Sequence, residues 1–584
     1  MDTWLPPGIG RHSLPDVDRP SPSDPPVVEC LALAMLRRAL VVLLVFVCGV
    51  LGGGLRAVSG TGSFIHVDGG PSSYLFHGVN IVHKGLGEAE ISQGEIDTMR
   101  AMGFNVVRFG FLWFNVEVAP GVYNETYIAS MTRYVNLLWA NGFRVILDMH
   151  QDCYSAFYCA GADGVPLFYG RPPLESNYFW NGSRAFPLPF LPPKYASPQL
   201  PPWLPFGLPE SCGELPVWAM CYTTYTLAAA TQRLYDDEDG LQGALGRMWQ
   251  RVAGAFAGHP AIVGYELMNE PWLGKVPLNL NELDPITNPR FYNLWNSGVA
   301  DRVNLAPLYE RVAGMIRAVD NDTAIFFEPA SGGSLIDTRV GFSTGPGGSA
   351  ADAAGLNVLS YHEYCPLIQS DVPIPQNSTN PIWQWAWTEL TLDICRSIGH
   401  SQFLDRQADV DRLGVGGFVT EFGAIPHSAA GAQDMVRTLD QIDRIMHSWT
   451  FWAIRDVYLA PAFIRASLTR SFPWAVVGKL DRFSTADLLN NGSLFVTRYT
   501  LPAVLPSPPT GALVTLIFLS PFRFGTVIDR DFSVTTSPPC CLQVRSFNAT
   551  TGLLTVSHDF GRLLPSMLVE VRIQSNRSHG TDQW

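Results

Sequence analysis

From Tyr74 onward the chain alternates short apolar stretches with helical ones, and each apolar stretch ends in polar or aromatic side chains. Strands are expected at Tyr74 to Ile81, Asn105 to Phe109, Arg144 to Met149, Ile262 to Met268, Ala324 to Phe327, Asn357 to Tyr361, Gly416 to Glu421 and Ser448 to Ile454. Between the first two, Ser92-Gln-Gly-Glu95 has the spacing of a capping box, with Gly103 placed to close the helix. A second helix is expected from about Tyr127 to Ala140, before Asn141-Gly142. Strands that alternate with helices form a parallel sheet with helices outside. Eight such units predict an α/β fold, a (β/α)8 TIM barrel, whose chemistry gathers at the C-terminal strand ends.

Several of those ends carry a carboxylate, among them Glu328 after Ala324 to Phe327, and two stand out. Gly264-Tyr-Glu-Leu-Met-Asn-Glu-Pro-Trp272 delivers Asn269 and Glu270, and Pro271 stops the strand because it has no N–H for the ladder. Gly416-Gly-Phe-Val-Thr-Glu-Phe-Gly423 delivers Glu421. Burial against apolar neighbours raises a glutamate pKa, which suits Glu270 to a general acid. Two glutamates at separate strand ends can serve as acid/base and nucleophile in glycoside hydrolysis.

With these motifs the chain resembles glycoside hydrolase family 5, a retaining family on a (β/α)8 barrel. Leu147-Asp-Met-His-Gln-Asp-Cys-Tyr-Ser155, Gly264 to Trp272, Phe326-Phe-Glu-Pro329 and Arg470-Ser-Phe-Pro-Trp-Ala-Val-Val-Gly478 narrow the resemblance to the endoglycoceramidases, which cut between glycan and ceramide. It runs from about Tyr74 to Arg572. Cys153 and Phe472-Pro-Trp474 depart from the pattern. The resemblance implies Glu270 as acid/base and Glu421 as nucleophile. It adds Arg108, His150, Asn269, His362, Tyr364 and Trp452 as supporting site residues. Arg108 and Tyr364 would hydrogen-bond Glu421, Asn269 the sugar 2-OH, and Trp452 would floor the sugar. Lys84 and Asp152 would hold glucose hydroxyls, and Trp272 would border the cleft. Glucosylceramide and steryl-glucoside hydrolases share several motifs, so an exo-acting β-glucosidase is the competing activity. A catalytically inactive glycan- or lipid-binding barrel is the competing class.

The net charge of −13 argues against a nucleic-acid partner. No His/Cys cluster has ligand spacing, so no metal or other cofactor is expected. Met35-Leu-Arg-Arg38, the apolar run 39–51 and the small residues to Gly60 read as a signal peptide cleaved near Ala57-Val-Ser59, or as a signal anchor. Either places the body on the secretory side, secreted or membrane-anchored. Sequons beginning at Asn124, Asn181, Asn321, Asn377, Asn491, Asn548 and Asn576 fit that side. So do eight cysteines outside the leader. Close spacing favours Cys153–Cys159 and Cys212–Cys221, then Cys365–Cys395; Cys540 and Cys541 stay open.

The insertion from Cys153 to Tyr222 is rich in proline and is read either as a packed irregular loop or as an apolar rim for a lipid or bilayer surface. After Leu480 short β stretches predict a small C-terminal β-sandwich. The expected organisation is a disordered extension over 1–34, a leader over 35–59, the barrel over 60–479, the sandwich over 480–575 and a polar tail over 576–584.

Overall fold

A computed structural model of the chain describes residues 54–66, 72–84, 91–158, 161–171, 222, 225–274, 297–331, 339–365, 381–425, 427–485, 493–505 and 513–577. Among these residues, eight parallel strands close into a barrel. They are β1 (His77–Val82), β2 (Val106–Leu112), β3 (Arg144–His150), β4 (Ile262–Glu266), β5 (Ala324–Phe327), β6 (Asn357–Glu363), β7 (Gly416–Phe422) and β8 (Ser448–Phe451). Closure runs through Trp449 opposite His77 and Phe451 opposite Val79. The expected (β/α)8 barrel is therefore the observed one.

Strand side chains alternate between faces, so each barrel strand sends every second residue inward. The lower inward layer is apolar: Val106, Ile146, Phe326, Val358 and Phe418 form one buried cluster. Gly264 leaves the space that the Phe326 ring fills, since a Cβ there would come within 2.2 Å of the ring. Two residues further along, β2, β3 and β4 present Arg108, Asp148 and Glu266, all fully buried. An apolar floor thus carries a charged layer directly beneath the barrel mouth. Between Tyr361 and His362 the register shifts, and this bulge sets His362 opposite Glu421 of β7. Outside the barrel, helix Leu241–Phe256 buries Leu245, Met248, Trp249 and Val252. Its Trp249 Nε1 donates to the Leu267 carbonyl at 2.9 Å, which anchors the chain just before Asn269 and Glu270.

The floor is closed from below by residues ahead of the barrel. Strands Leu55–Ala57 and Phe64–His66 pair antiparallel. Phe64 lies 5.2 Å from Phe76, 6.3 Å from Phe326 and 6.5 Å from Phe418, ring to ring. Leu55 and Ala57 are buried in the same cluster. The Ala57 N–H donates to the Gly355 carbonyl at 2.9 Å. The expected leader end at Ala57-Val-Ser59 therefore falls inside the folded body. Of these three residues Ala57 is buried under the barrel, Val58 is half-buried and Ser59 is exposed. The apolar run 39–51 lies outside the described residues.

Tyr74 is also corrected. It belongs to strand Ser72–Tyr74, which pairs antiparallel with Phe472–Val477, and β1 begins only at His77. A continuous apolar stretch conceals a change of pairing partner. The C-terminal β region forms two sheets. One orders Leu55–Ala57, Phe64–His66, Ser72–Tyr74, Phe472–Val477, Val514–Phe518, Leu553–His558 and Leu542–Asn548. The other orders Lys479–Ser484, Leu494–Thr500, Leu568–Ser575 and Phe532–Ser537. The first sheet takes strands from both sides of the barrel segment, so its β structure is not confined to residues after 480.

Candidate active site

Glu421 ends β7 with both carboxylate oxygens held. Arg108 Nη1 donates to Oε1 at 2.5 Å and the Tyr364 hydroxyl donates to Oε2 at 2.8 Å. Arg108 spends its planar fork on several acceptors at once. It donates to Asn80 Oδ1 at 3.0 Å, to Asn269 Oδ1 at 2.7 Å and to Glu266 Oε2 at 2.5 Å. Asp148 Oδ1 lies 3.1 Å from its Nη2. Five N–H donors in one rigid plane make arginine fit for this task, and a lysine could not replace it. Burial alone would lower the Arg108 pKa, but Asp148, Glu266 and Glu421 outweigh it and hold the guanidinium charge firmly.

Glu270 sits across the mouth, its side chain 21% exposed toward the cleft. Burial, then the charge of Asp152, pushes its carboxyl up to about 7. His362 Nδ1 lies 2.8 Å from Glu270 Oε1 and 3.5 Å from Glu421 Oε2. Burial pulls His362 down to about 4, so at neutral pH it is an uncharged bridge between the two glutamates. One oxygen of Glu270, one of Glu421 and a ring nitrogen of His362 all lie within 4.8 Å of one another. Asn269 donates from Nδ2 to the Gln151 carbonyl at 3.0 Å. Its amide has a second N–H, which suits a sugar hydroxyl.

A polar wall adjoins this pair. Lys84 is ion-paired to Asp152, and His150 Nδ1 lies 2.9 Å from Asp148. Burial would lower His150, but the bonds and charges of Asp148 and Asp152 push it up to about 10, so it is a cation. Trp452 stacks on the His150 ring at 5.3 Å, and the Lys84 ammonium lies 4.9 Å from the Trp452 ring centre. Trp272 stacks on Tyr222 at 5.2 Å on the Glu270 side. The structure thus gathers Lys84, Arg108, His150, Asp152, Asn269, Glu270, Trp272, His362, Tyr364, Glu421 and Trp452 around one barrel mouth.

Four further residues belong to the site. Asp148 and Glu266 anchor Arg108, while Gln151 and Glu328 hold the main chain of Glu270. A charged residue inside an apolar strand, as in Val145-Ile-Leu-Asp148 and Val263-Gly-Tyr-Glu266, is the signal that could have found the first two. Glu266, Glu328 and His362 form a second triad, whose ligand atoms are also within 4.8 Å. Spacing along the chain could not reveal either triad, because each is assembled from three separate strand ends. The residues fit a proton-transfer site, since each triad shares the neutral His362.

The insertion after β3 is described in part. Tyr154, Tyr158 and Val165 are buried in the main core, so its first part is packed loop. Cys153 is disulfide-bonded, but Cys159 and the proposed Cys212–Cys221 pair lie outside the described residues, as do its proline-rich runs. Cys365–Cys395 is a disulfide, and Cys540 and Cys541 are bonded to each other.

The model of the cellulase family, glycosyl hydrolase family 5, matches residues 73–181 and 216–457. The chain belongs to glycosyl hydrolase family 5. Within the family it is an endoglycoceramidase-like member. It is 30% identical over 402 residues to the endoglycoceramidase of Cyanea nozakii, across 65% of this chain and 66% of that one. It is 27% identical over 441 residues to the endoglycoceramidase of Hydra vulgaris, across 72% and 73% of the two chains. Endo-glycoceramidase II from Rhodococcus sp., solved as a lactosyl-enzyme intermediate, has a similar fold. Its TM-score is 0.58 at 20% identity, covering 87% of this chain and 98% of that one.

Proposed function

We propose that this family 5 chain is a retaining hydrolase of glycosphingolipids that cuts the β-glycosidic bond between glycan and ceramide. Glu270 protonates the leaving oxygen and Glu421 attacks the anomeric carbon. Glu270 then deprotonates the water that releases the sugar. The observation that carries this reading is the approach of Glu270 and Glu421 oxygens to within 4.8 Å. Retention works with carboxyls about 5–5.5 Å apart, whereas inversion needs about 6.5–9.5 Å to admit a water. Glu270, pushed up to about 7, keeps a proton to give, and Arg108 and Tyr364 aim Glu421. Lys84, Asp152 and His150 offer a charged wall for sugar hydroxyls, with Trp452 as its aromatic floor. The names of the Cyanea and Hydra relatives support ceramide as the aglycone.

A glucosylceramidase of Rhizopus delemar is 28% identical over 205 residues, and this favours exo-cleavage of a single glucose as the second reading. The test offers a ganglioside, glucosylceramide, a steryl glucoside and cellulose side by side. Intact oligosaccharide plus free ceramide supports the proposal. Cleavage of glucosylceramide or steryl glucoside alone moves the chain to exo-glucosidases. No turnover of any of the four favours a glycan-binding barrel. The leader, the sequons and the disulfides support a secretory-pathway location, in the lumen, outside the cell or on a membrane anchor. The insertion from Cys153 to Tyr222, read as an apolar rim, is the surface proposed to meet the bilayer.

A further inference from the structure

Glu270 stands in an unusual backbone conformation. Its φ is 40°, in the left-handed region that side-chain-bearing residues avoid. Such a conformation persists only where neighbours hold it. Here the restraints are visible. Gln151 Nε2 donates to the carbonyls of Asn269 at 2.8 Å and of Glu270 at 2.9 Å. On the other side, the Glu270 N–H donates to Glu328 Oε2 at 2.9 Å. The Ser331 N–H donates to the Pro271 carbonyl at 2.8 Å and fastens the next residue. Glu328 follows directly on β5 and is itself fixed, because the Tyr309 hydroxyl donates to its carbonyl at 2.8 Å.

We infer that Glu328 is a positioning residue for hydrolysis, which aims the proposed acid by gripping the Glu270 main chain. It is buried, 3% exposed, and acts through Glu270. The inference rests on the reading of Glu270 as acid/base. The groups that face the Glu328 side chain are Glu266 from β4, Glu270 itself, His362 from β6 and Arg108 from β2. Burial, then the charges of Glu266 and Glu270, holds the Glu328 carboxyl well above the usual range, which favours its protonated form. Its neighbours suit that state. Glu266 Oε1 and His362 Nε2 are both buried without a hydrogen-bond partner. They lie in the triad whose ligand atoms are within 4.8 Å of one another, and a carboxylic O–H is a donor that Glu266 Oε1 can accept. Glu328 thus accepts from the Glu270 N–H with Oε2, which also lies 3.6 Å from His362 Nε2. Proline at 271 biases the residue before it toward extended backbone, so the left-handed conformation of Glu270 depends on these restraints.

The experiment compares Glu328→Ala and Glu328→Gln with the unsubstituted protein on two substrates. One is a ganglioside, whose ceramide leaving group needs a proton. The other is a β-lactoside with a dinitrophenolate leaving group, which does not. A small displacement of a catalytic group costs on the order of 100-fold. Glu328→Ala is expected to lose about that factor in kcat/KM on the ganglioside and under about threefold on formation of the glycosyl-enzyme from the lactoside, read as the dinitrophenolate burst. Glu328→Gln keeps an acceptor oxygen and a neutral group, and is expected to recover most of the loss with the basic limb of the pH profile unmoved. Equal loss on both substrates, or wild-type rates on both, overturns the inference. If Glu328→Ala does not fold, Glu328→Asp is read in the same two assays. Glu270→Ala is the control. If it fails to discriminate between the leaving groups, the acid assignment falls; if it discriminates and the Glu328 variants do not, only the positioning role falls.

Discussion

The Tyr364 hydroxyl donates to Oε2 of Glu421 at 2.8 Å, on the opposite oxygen from the one Arg108 holds. The carboxylate is thereby fixed in plane and in rotation, with its remaining lone pairs turned to the cleft. A hydrogen bond to a charged group is worth about 1.5–3 kcal/mol. Tyr364→Phe should therefore lower kcat/KM about 10- to 100-fold, with the circular dichroism spectrum unchanged. Steady-state kinetics on a ganglioside checks this, and wild-type kcat/KM would show that Arg108 alone positions Glu421.

The proposed acid, Glu270, can act only while protonated. Its carboxyl is pushed up to about 7 by burial and by Asp152, so kcat/KM should fall as pH rises through about 7. Asp152→Asn removes the charge that helps to raise it. The basic limb should move to lower pH, in addition to weaker sugar binding as Lys84 loses its ion-pair partner. A pH–rate profile of both proteins reads the shift. A limb that moved upward would show that Asp152 acts on Glu270 only through His150.

Residues 55–57 close the barrel floor. A chain beginning at Gly60 lacks Leu55, whose burial is worth about 1.5–3 kcal/mol, and the whole edge strand with it. It should unfold at a lower temperature than a chain beginning at Gly54, measured by calorimetry. The matching expectation for the natural protein is that N-terminal sequencing finds Leu55 retained. A mature end at Gly60 with undiminished stability would contradict this placement.

Cys365 follows Tyr364 directly and is bonded to Cys395 of helix Pro381–Leu413. A loop of this length is worth about 3–4 kcal/mol in the chain-entropy model. Cys395→Ser should lower the melting temperature and also kcat, because the strap sets the chain beside the Tyr364–Glu421 bond. Loss of stability with kcat unchanged would limit the disulfide to a structural role.

The contrast between what could and could not be read follows from how each feature is encoded. The placement of Glu270 and Glu421 at the barrel mouth was legible because a carboxylate at the end of an apolar strand is a local pattern, whereas Arg108 came from the resemblance alone. Ala324–Phe327 was bounded correctly because a four-residue apolar run has sharp polar edges. Gln151 and Glu328 stand inside recognisable motifs, but their roles were not legible, because each acts on a main-chain atom of Glu270 far away in the chain. Leu55 and Ala57 read in the sequence as part of a leader because such residues suit a cleavage region and a packed floor equally well. Strand Phe532–Ser537 was missed because it lies at a sheet edge and is mostly Ser and Thr after its first residue.

The most direct test of the account is proton NMR of the purified protein acting on a ganglioside, following the anomeric signals of the released glycan from the first minutes. The account predicts an intact oligosaccharide that appears first as the β-anomer and then mutarotates, with ceramide released in equal amount. The α-anomer appearing first, or glucose and galactose leaving singly, would contradict it.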